Sequence, residues 1–261
     1  MSGAGVSGRP RGRTLAVTSG KGGVGKTFVA ANLGAALARQ GHKVLVLDAD
    51  LGLANLDVVL NLPPHVTLDD VLHNRRALDD AIMPGPCGMS VLLAGSGMVE
   101  YSRLTPQVRN ELQRILDELL PRFDHVILDT GAGISDVVLY TVSLASEVLL
   151  VATPEPTSMA DAYATLKVLG KLQQRRHVHV VVNQTRRPGD GRLVCSQLQM
   201  VIDRFFNPTL DGSLRLDFLG EVPSDPAVRE VILRRELLLE SQPGSSAAIA
   251  MLDVARRLAR E

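Results

Sequence analysis

Residues 14–32, TLAVTSGKGGVGKTFVAAN, constrain the fold more than any other stretch of the 261-residue chain. Leu15, Ala16 and Val17 read as a short buried strand, residues 19–25 as a glycine-rich turn, and the alanine-rich run after Thr27 as a helix. A strand that passes through glycines straight into a helix leaves backbone N–H groups and a helix N-terminus facing one point, which suits phosphate. The spacing Gly20-x-x-x-x-Gly25-Lys26-Thr27 is that of a P-loop. Gly20, Gly22, Gly23, Val24, Gly25, Lys26 and Thr27 are therefore expected to surround nucleotide phosphates. Lys26 would meet the β- and γ-phosphates, and the Thr27 hydroxyl would be a magnesium ligand. The competing reading is an ordinary glycine turn between strand and helix.

Composition sets the frame for this motif. With 45% hydrophobic residues the chain can bury the core of one large α/β domain, expected over residues 14–261, behind a flexible Gly-, Ser- and Arg-rich tail at 1–13. Lys plus Arg number 28 and so do Asp plus Glu, so no net charge draws the chain to polyanions, and DNA binding is not expected. Cys87 and Cys195 lie far apart with no CxxC, which suits a reduced compartment and argues against an iron–sulfur cluster. No apolar run of about 18 residues is present, so the expected location is cytoplasmic, or peripheral at the inner membrane or cell pole.

Strand and helix patterns alternate along the rest of the chain. Residues 43–48, 89–94, 124–129, 147–152, 178–182 and 216–222 read as strands, and 67–82, 105–120, 158–172 and 245–260 as helices. This predicts a doubly wound α/β fold with a mainly parallel sheet. The strand at 43–48 ends in Asp48-Ala49-Asp50, at the sheet edge where such folds bind ligands. Asp50 is placed to orient an attacking water and Asp48 to support the magnesium shell, unless Asp48 only caps the following turn. The strand at 124–129 ends in Asp129-Thr130-Gly131, the pattern of a Walker B segment whose aspartate serves magnesium. Asn183, after the strand at 178–182, could read an adenine ring or close a turn. Residues 186–204 are locally basic and read as a solvated loop and helix. The last helix, with Ile249, Leu252, Ala255 and Leu258 on its apolar side and Arg256, Arg257 and Arg260 elsewhere, reads as packed on the sheet rather than on a membrane.

A second lysine, Lys21, stands inside the loop, so SGKGGVGKT resembles the deviant P-loop of the ParA/MinD family of dimerising ATPases. DADLGLANLD at 48–57, DTGAGISD at 129–136 and TPEPTSMADAYATLKVL at 153–169 extend that resemblance from residue 14 to about 258. The second and fourth of these motifs are closest to the flagellar branch, the FlhG or FleN group. The resemblance implies a P-loop NTPase fold, ATP/ADP and Mg2+ as cofactors, and an ATP-dependent homodimer in which Lys21 reaches the partner's nucleotide. It makes Lys21, Lys26 and Asp50 the expected catalytic residues of a slow, partner-stimulated hydrolase. Partners implied in the same way are the GTPase FlhF, a transcriptional activator of flagellar genes and C-ring proteins. MinD-type positioning on a membrane or ParA-type partitioning on DNA is the alternative. Many relatives begin with a Gln- and Leu-containing helix that stimulates FlhF and end in a basic, aromatic membrane segment. Neither pattern is present here, so only weak membrane contact is expected.

Overall fold

The computed structural model describes residues 12–52, 54–95 and 104–260. Its frame is an eight-stranded sheet: β1 (Arg13–Ser19), β2 (Val44–Ala49), β3 (Ile82–Pro84), β4 (Ser90–Leu92), β5 (His125–Ala132), β6 (Glu147–Ala152), β7 (His177–Thr185) and β8 (Arg215–Pro223). The spatial order is β3-β4-β2-β5-β1-β6-β7-β8. Every neighbouring pair is parallel except β3 with β4. Strands buried on both faces need apolar residues at consecutive positions, which is why VLVLDA and EVLLVA carry unbroken hydrophobic runs.

Alternate residues of each strand feed two separate cores. Leu45, Leu47, Val126, Leu128, Val148 and Val180 face one side, where α3 (Leu68–Leu72), α5 (Pro106–Leu119), α6 (Asp136–Ser143), α7 (Pro156–Leu172) and α8 (Asp190–Phe205) pack. Val44, Val46, Ile127, Leu149 and Val181 face the other, covered by α1 (Lys26–Arg39), α2 (Leu56–Leu60), α9 (Pro226–Arg234), α10 (Leu238–Ser241) and α11 (Ser246–Leu258). Helices on both faces of a parallel sheet make the doubly wound architecture expected from the sequence.

Several boundaries differ from the sequence reading. The expected helix over 67–82 is two short helices, α3 and α4 (Leu78–Ala81), followed by the antiparallel strand β3. A Thr67–Asp70 capping box starts α3, but Asn74 adopts φ 56° and Arg75 turns back to pair with Asp69 and Asp70. The left-handed residue ends the helix after barely one turn. Helix α6 and the short α9 and α10 fall where no helix was expected.

Arg13, expected in the tail, is the first residue of β1, where its guanidinium holds Glu147 at 2.6–2.7 Å and the Leu258 carbonyl at 3.1 Å. Gly12, also expected in the tail, donates its amide to the Leu120 carbonyl at 3.1 Å, while residues 1–11 and Glu261 lie outside the described residues. The last helix does pack on the sheet, but its buried stripe is Met251, Val254, Ala255 and Leu258, while Ile249 is exposed.

The sheet edges are closed in different ways. β3 is three residues long and ends at Pro84. In β8 the register skips Leu219, a bulge whose carbonyl accepts Arg257 Nη1 at 3.1 Å. Bulges, prolines and charged side chains of this kind deny an incoming strand its ladder.

Candidate functional site

The carboxyl ends of β2, β5 and β1 converge on the glycine loop. Asp48 of β2 lies in register with Asp129 of β5, and Asp129 with Val17 of β1. The loop is tied to β5 by its backbone: Gly133 N donates to Ser19 O at 2.8 Å, and Thr130 Oγ1 to Val17 O at 3.0 Å. Ser19 Oγ closes the first turn on the Lys21 carbonyl at 2.7 Å.

Two glycines in the loop are there for want of room. A Cβ on Gly20 would lie 2.3 Å from the Asp161 carbonyl carbon, so only glycine lets the loop rest on the backbone of α7. Gly25, at φ 93°, is the cap residue of α1, and a Cβ there would stand 2.4 Å from Asn183 Nδ2. No side chain caps α1, and its first turn carries no acid, so its amide donors are left for an anion.

Inside the loop the charges are mutually dependent. Burial lowers the pKa of the Lys26 ammonium, while the nearby Asp129 and Asp50 carboxylates raise it. Asp129 is almost fully enclosed. Burial, with Asp48 adding like charge, pushes its carboxyl up to about 8 against the Thr27 hydroxyl and Lys26. Its Oδ1 is buried without a hydrogen-bond partner. An enclosed carboxylate oxygen beside a hydroxyl, short of positive charge, fits a divalent cation. Among the described residues no group of three His, Cys, Asp or Glu side chains could hold a metal alone. Thr27 and Asp129 would therefore share Mg2+ with phosphate oxygens and water.

Two of the expected site residues hydrogen-bond to backbone groups. Asp48 Oδ1 accepts the Asp50 amide and Oδ2 the Leu56 amide, each at 3.2 Å, so its carboxylate is committed to the turn that starts α2. Burial pushes it up to about 7 despite those bonds. These bonds are the capping role that the sequence left open beside support of the magnesium shell. Asn183 is buried within β7, where its Nδ2 donates to the Val24 carbonyl at 2.8 Å and its Oδ1 accepts the Gln184 amide at 2.9 Å. The side chain braces the glycine loop from behind.

Asp50 is half-buried, its Oδ1 accepting the Gly52 amide at 3.3 Å and lying over Gly131. Lys21 turns away from its own loop: its Nζ reaches Glu155 Oε2 at 2.9 Å and Thr157 Oγ1 at 3.1 Å, at the start of α7. The sequence reading missed Glu155 and Thr157 as Lys21's partners. They lie more than 130 positions away in sequence, and no local pattern marks the contact.

A ParA family model, described as an iron-transfer P-loop NTPase (NUBPL), matches residues 12–259. The chain belongs to the ParA/MinD family of P-loop ATPases. Among ParA/MinD proteins it is 39% identical over 246 residues to the antiactivator FleN of Pseudomonas aeruginosa, covering 94% of this chain and 86% of FleN. It is 31% identical to the flagellum site-determining protein YlxH of Helicobacter pylori, covering 88% of this chain and 76% of YlxH. The septum site-determining protein MinD of Pyrococcus horikoshii, solved with Mg-ADP, superposes with a TM-score of 0.73 at 27% identity, covering 94% of this chain and 95% of that one. Among the described residues of this ParA/MinD chain, no helix is long and apolar enough to cross a membrane.

Proposed function

We propose that this ATPase is a nucleotide-switched regulator of flagellar number, placement and gene expression, active as an ATP-bound homodimer. The observation that carries the reading is the division of labour between two lysines of one loop. Lys26 faces the buried Asp129 inside the cradle, whereas Lys21 points outward to the rim at Glu155 and Thr157. An outward cation at the mouth of a phosphate site is suited to a second subunit's nucleotide. Similarity to FleN and YlxH supports the flagellar assignment, and the Mg-ADP of the MinD relative supports the cofactor.

In this reading the amides of 20–25 and Lys26 hold the triphosphate, and Thr27 with Asp129 holds Mg2+. Bound there, the metal would supply positive charge to offset that of the phosphates. Asp50, the first residue after β2, orients the attacking water. Two polyanions buried face to face need cations from both subunits, so loss of one phosphate removes much of the attraction that holds the dimer. Flagellar partners, namely the FlhF GTPase, a transcriptional activator and C-ring proteins, would read the dimer.

The test is size exclusion with ATP and magnesium. Asp50→Ala is expected to accumulate as a dimer, and Lys21→Ala to stay monomeric while still binding nucleotide. Both variants eluting as wild type would reject the switch. A gene deletion that leaves the count of flagella per cell unchanged would reject the flagellar assignment on its own.

A further inference from the structure

Asp48 lies in β2, 1% exposed and in register with Asp129 of β5. A carboxylate enclosed near the carboxylates of Asp50 and Asp129 is costly to bury, and a fold keeps one where hydrogen bonds answer it. Both of its oxygens are answered, by different parts of the chain. Oδ1 takes the amide of Asp50, two residues on, and Oδ2 the amide of Leu56, eight residues on and the first residue of α2. The Asn55 amide stands beside the second bond. One side chain, fixed by the sheet, thus holds both the entry and the exit of the turn that joins β2 to α2.

Starting a helix does not require the first of these bonds. An acceptor for the Leu56 amide alone would serve the opening turn of α2, which is five residues long. The bond to Asp50 fixes instead the backbone of the residue whose carboxylate faces the glycine loop. A Cβ on Gly131 would lie 3.4 Å from Asp50 Oδ1 and 3.5 Å from its Cγ, so the carboxylate rests where β5 has no side chain to push it away. Its charge is felt at Lys26 and at Asp129. The platform under it is fastened in turn, since Gly133 N donates to Ser19 O at 2.8 Å. The Gly52 amide on Asp50 Oδ1 belongs to the same turn and moves with it, so that bond does not set the carboxylate against the sheet.

We propose that Asp48 is a positioning residue of ATP hydrolysis: by clamping both ends of the turn after β2 it holds the Asp50 carboxylate over Gly131, in one place relative to the glycine loop. The inference rests on the reading of Asp50 as the residue that orients the attacking water, and adds what keeps it there. A reacting group displaced by about 1 Å loses up to roughly a hundredfold in rate, so a clamp on rigid sheet has a measurable effect.

The test uses the full chain. Asp48→Asn keeps the size of the side chain but sets an NH2 donor against one of the two amides, so the clamp loses one end. Single-turnover hydrolysis, with protein and Mg2+ in excess over ATP, should slow by about ten- to a hundredfold. Affinity for a fluorescent ATP analogue, and the Mg2+ concentration for half-maximal binding, should stay within about threefold of wild type. Hydrogen–deuterium exchange in a peptide covering 49–57 should quicken in the nucleotide-free variant. In an Asp50→Ala background Asp48→Asn should cause no further slowing, because a residue that acts through Asp50 then has nothing left to place. Asp48→Ala should reproduce the pattern.

A wild-type rate in Asp48→Asn, or slowing that adds to that of Asp50→Ala, would overturn the proposal. Weaker Mg2+ binding that accounts for the whole loss would overturn it in favour of the metal shell, and loss of nucleotide binding in both Asp48 variants in favour of a structural role alone. Asp50→Ala hydrolysing at the wild-type rate would reject the reading of Asp50 itself. Asp48→Asn at the wild-type rate beside an inactive Asp50→Ala would reject only the clamp.

Discussion

Asn183 shows how far a single side chain can be read without its surroundings. A polar amide at the end of an apolar run is visible in the sequence, and so is its nearness to the ligand-binding edge. Its partner is not, because the Val24 carbonyl lies 159 positions earlier and meets it only after two strands have paired on either side of β6. Removing the amide leaves that buried carbonyl without its donor, at a cost of about 1–2 kcal/mol. Asn183→Ala should therefore weaken ATP and GTP together, by roughly tenfold each, as measured with fluorescent nucleotide analogues. A loss confined to ATP would assign the amide a base-reading role. The place of Lys26 and Thr27 where the glycine loop enters α1 was legible from spacing. Asp48 was ambiguous for a physical reason: a carboxylate at a strand end can serve a metal or a helix start, and the amides of Asp50 and Leu56 show the second use.

Secondary-structure elements were legible where pattern length exceeded one turn or one pleat. α5 and α7 fall within two residues of their expected limits, because Thr105 and Pro156 mark their starts and long apolar stripes carry them. The segment 67–82 failed because one backbone angle outweighs its apolar pattern. At φ 56° an L-residue with a Cβ costs about 1 kcal/mol relative to glycine, and asparagine less than most. Asn74→Ala should thus lower the urea midpoint by an amount equivalent to about 1 kcal/mol, while Asn74→Gly stays within a few tenths of wild type. Equal effects from both would show that contacts of the asparagine amide, not its backbone, shape the break.

On the scale of the whole molecule, doubly wound order follows from consecutive apolar strands separated by helices, whereas strand order and register arise from contacts no local pattern contains. One such contact is a charged row below the sheet. Arg13, Glu147, His179 and Asp217 lie on neighbouring strands β1, β6, β7 and β8, with His179 Nε2 at 3.4 Å from Glu147 Oε2. Burial would push the Glu147 carboxyl up, but hydrogen bonds from His179 and Arg13, together with their charges, bring it down to about 2. A carboxyl with a depressed value stabilises the fold above its ordinary value near 4.5, and that contribution is lost as pH falls through about 2. Glu147→Gln should cost about 1–3 kcal/mol at neutral pH, with the gap to wild type closing between pH 4.5 and 2 in urea titrations. A gap that stays constant over that range would mean that the glutamate's packing, not its charge, is what counts.

The sealed margins of the sheet bear on how crowded this molecule can become. A parallel sheet with two open borders would invite ribbons of identical subunits wherever many copies gather, and such ribbons would compete with any reversible pairing. A three-residue border ending in proline on one side, and a skipped residue fastened by an arginine on the other, remove that route. Association is left to helices and loops.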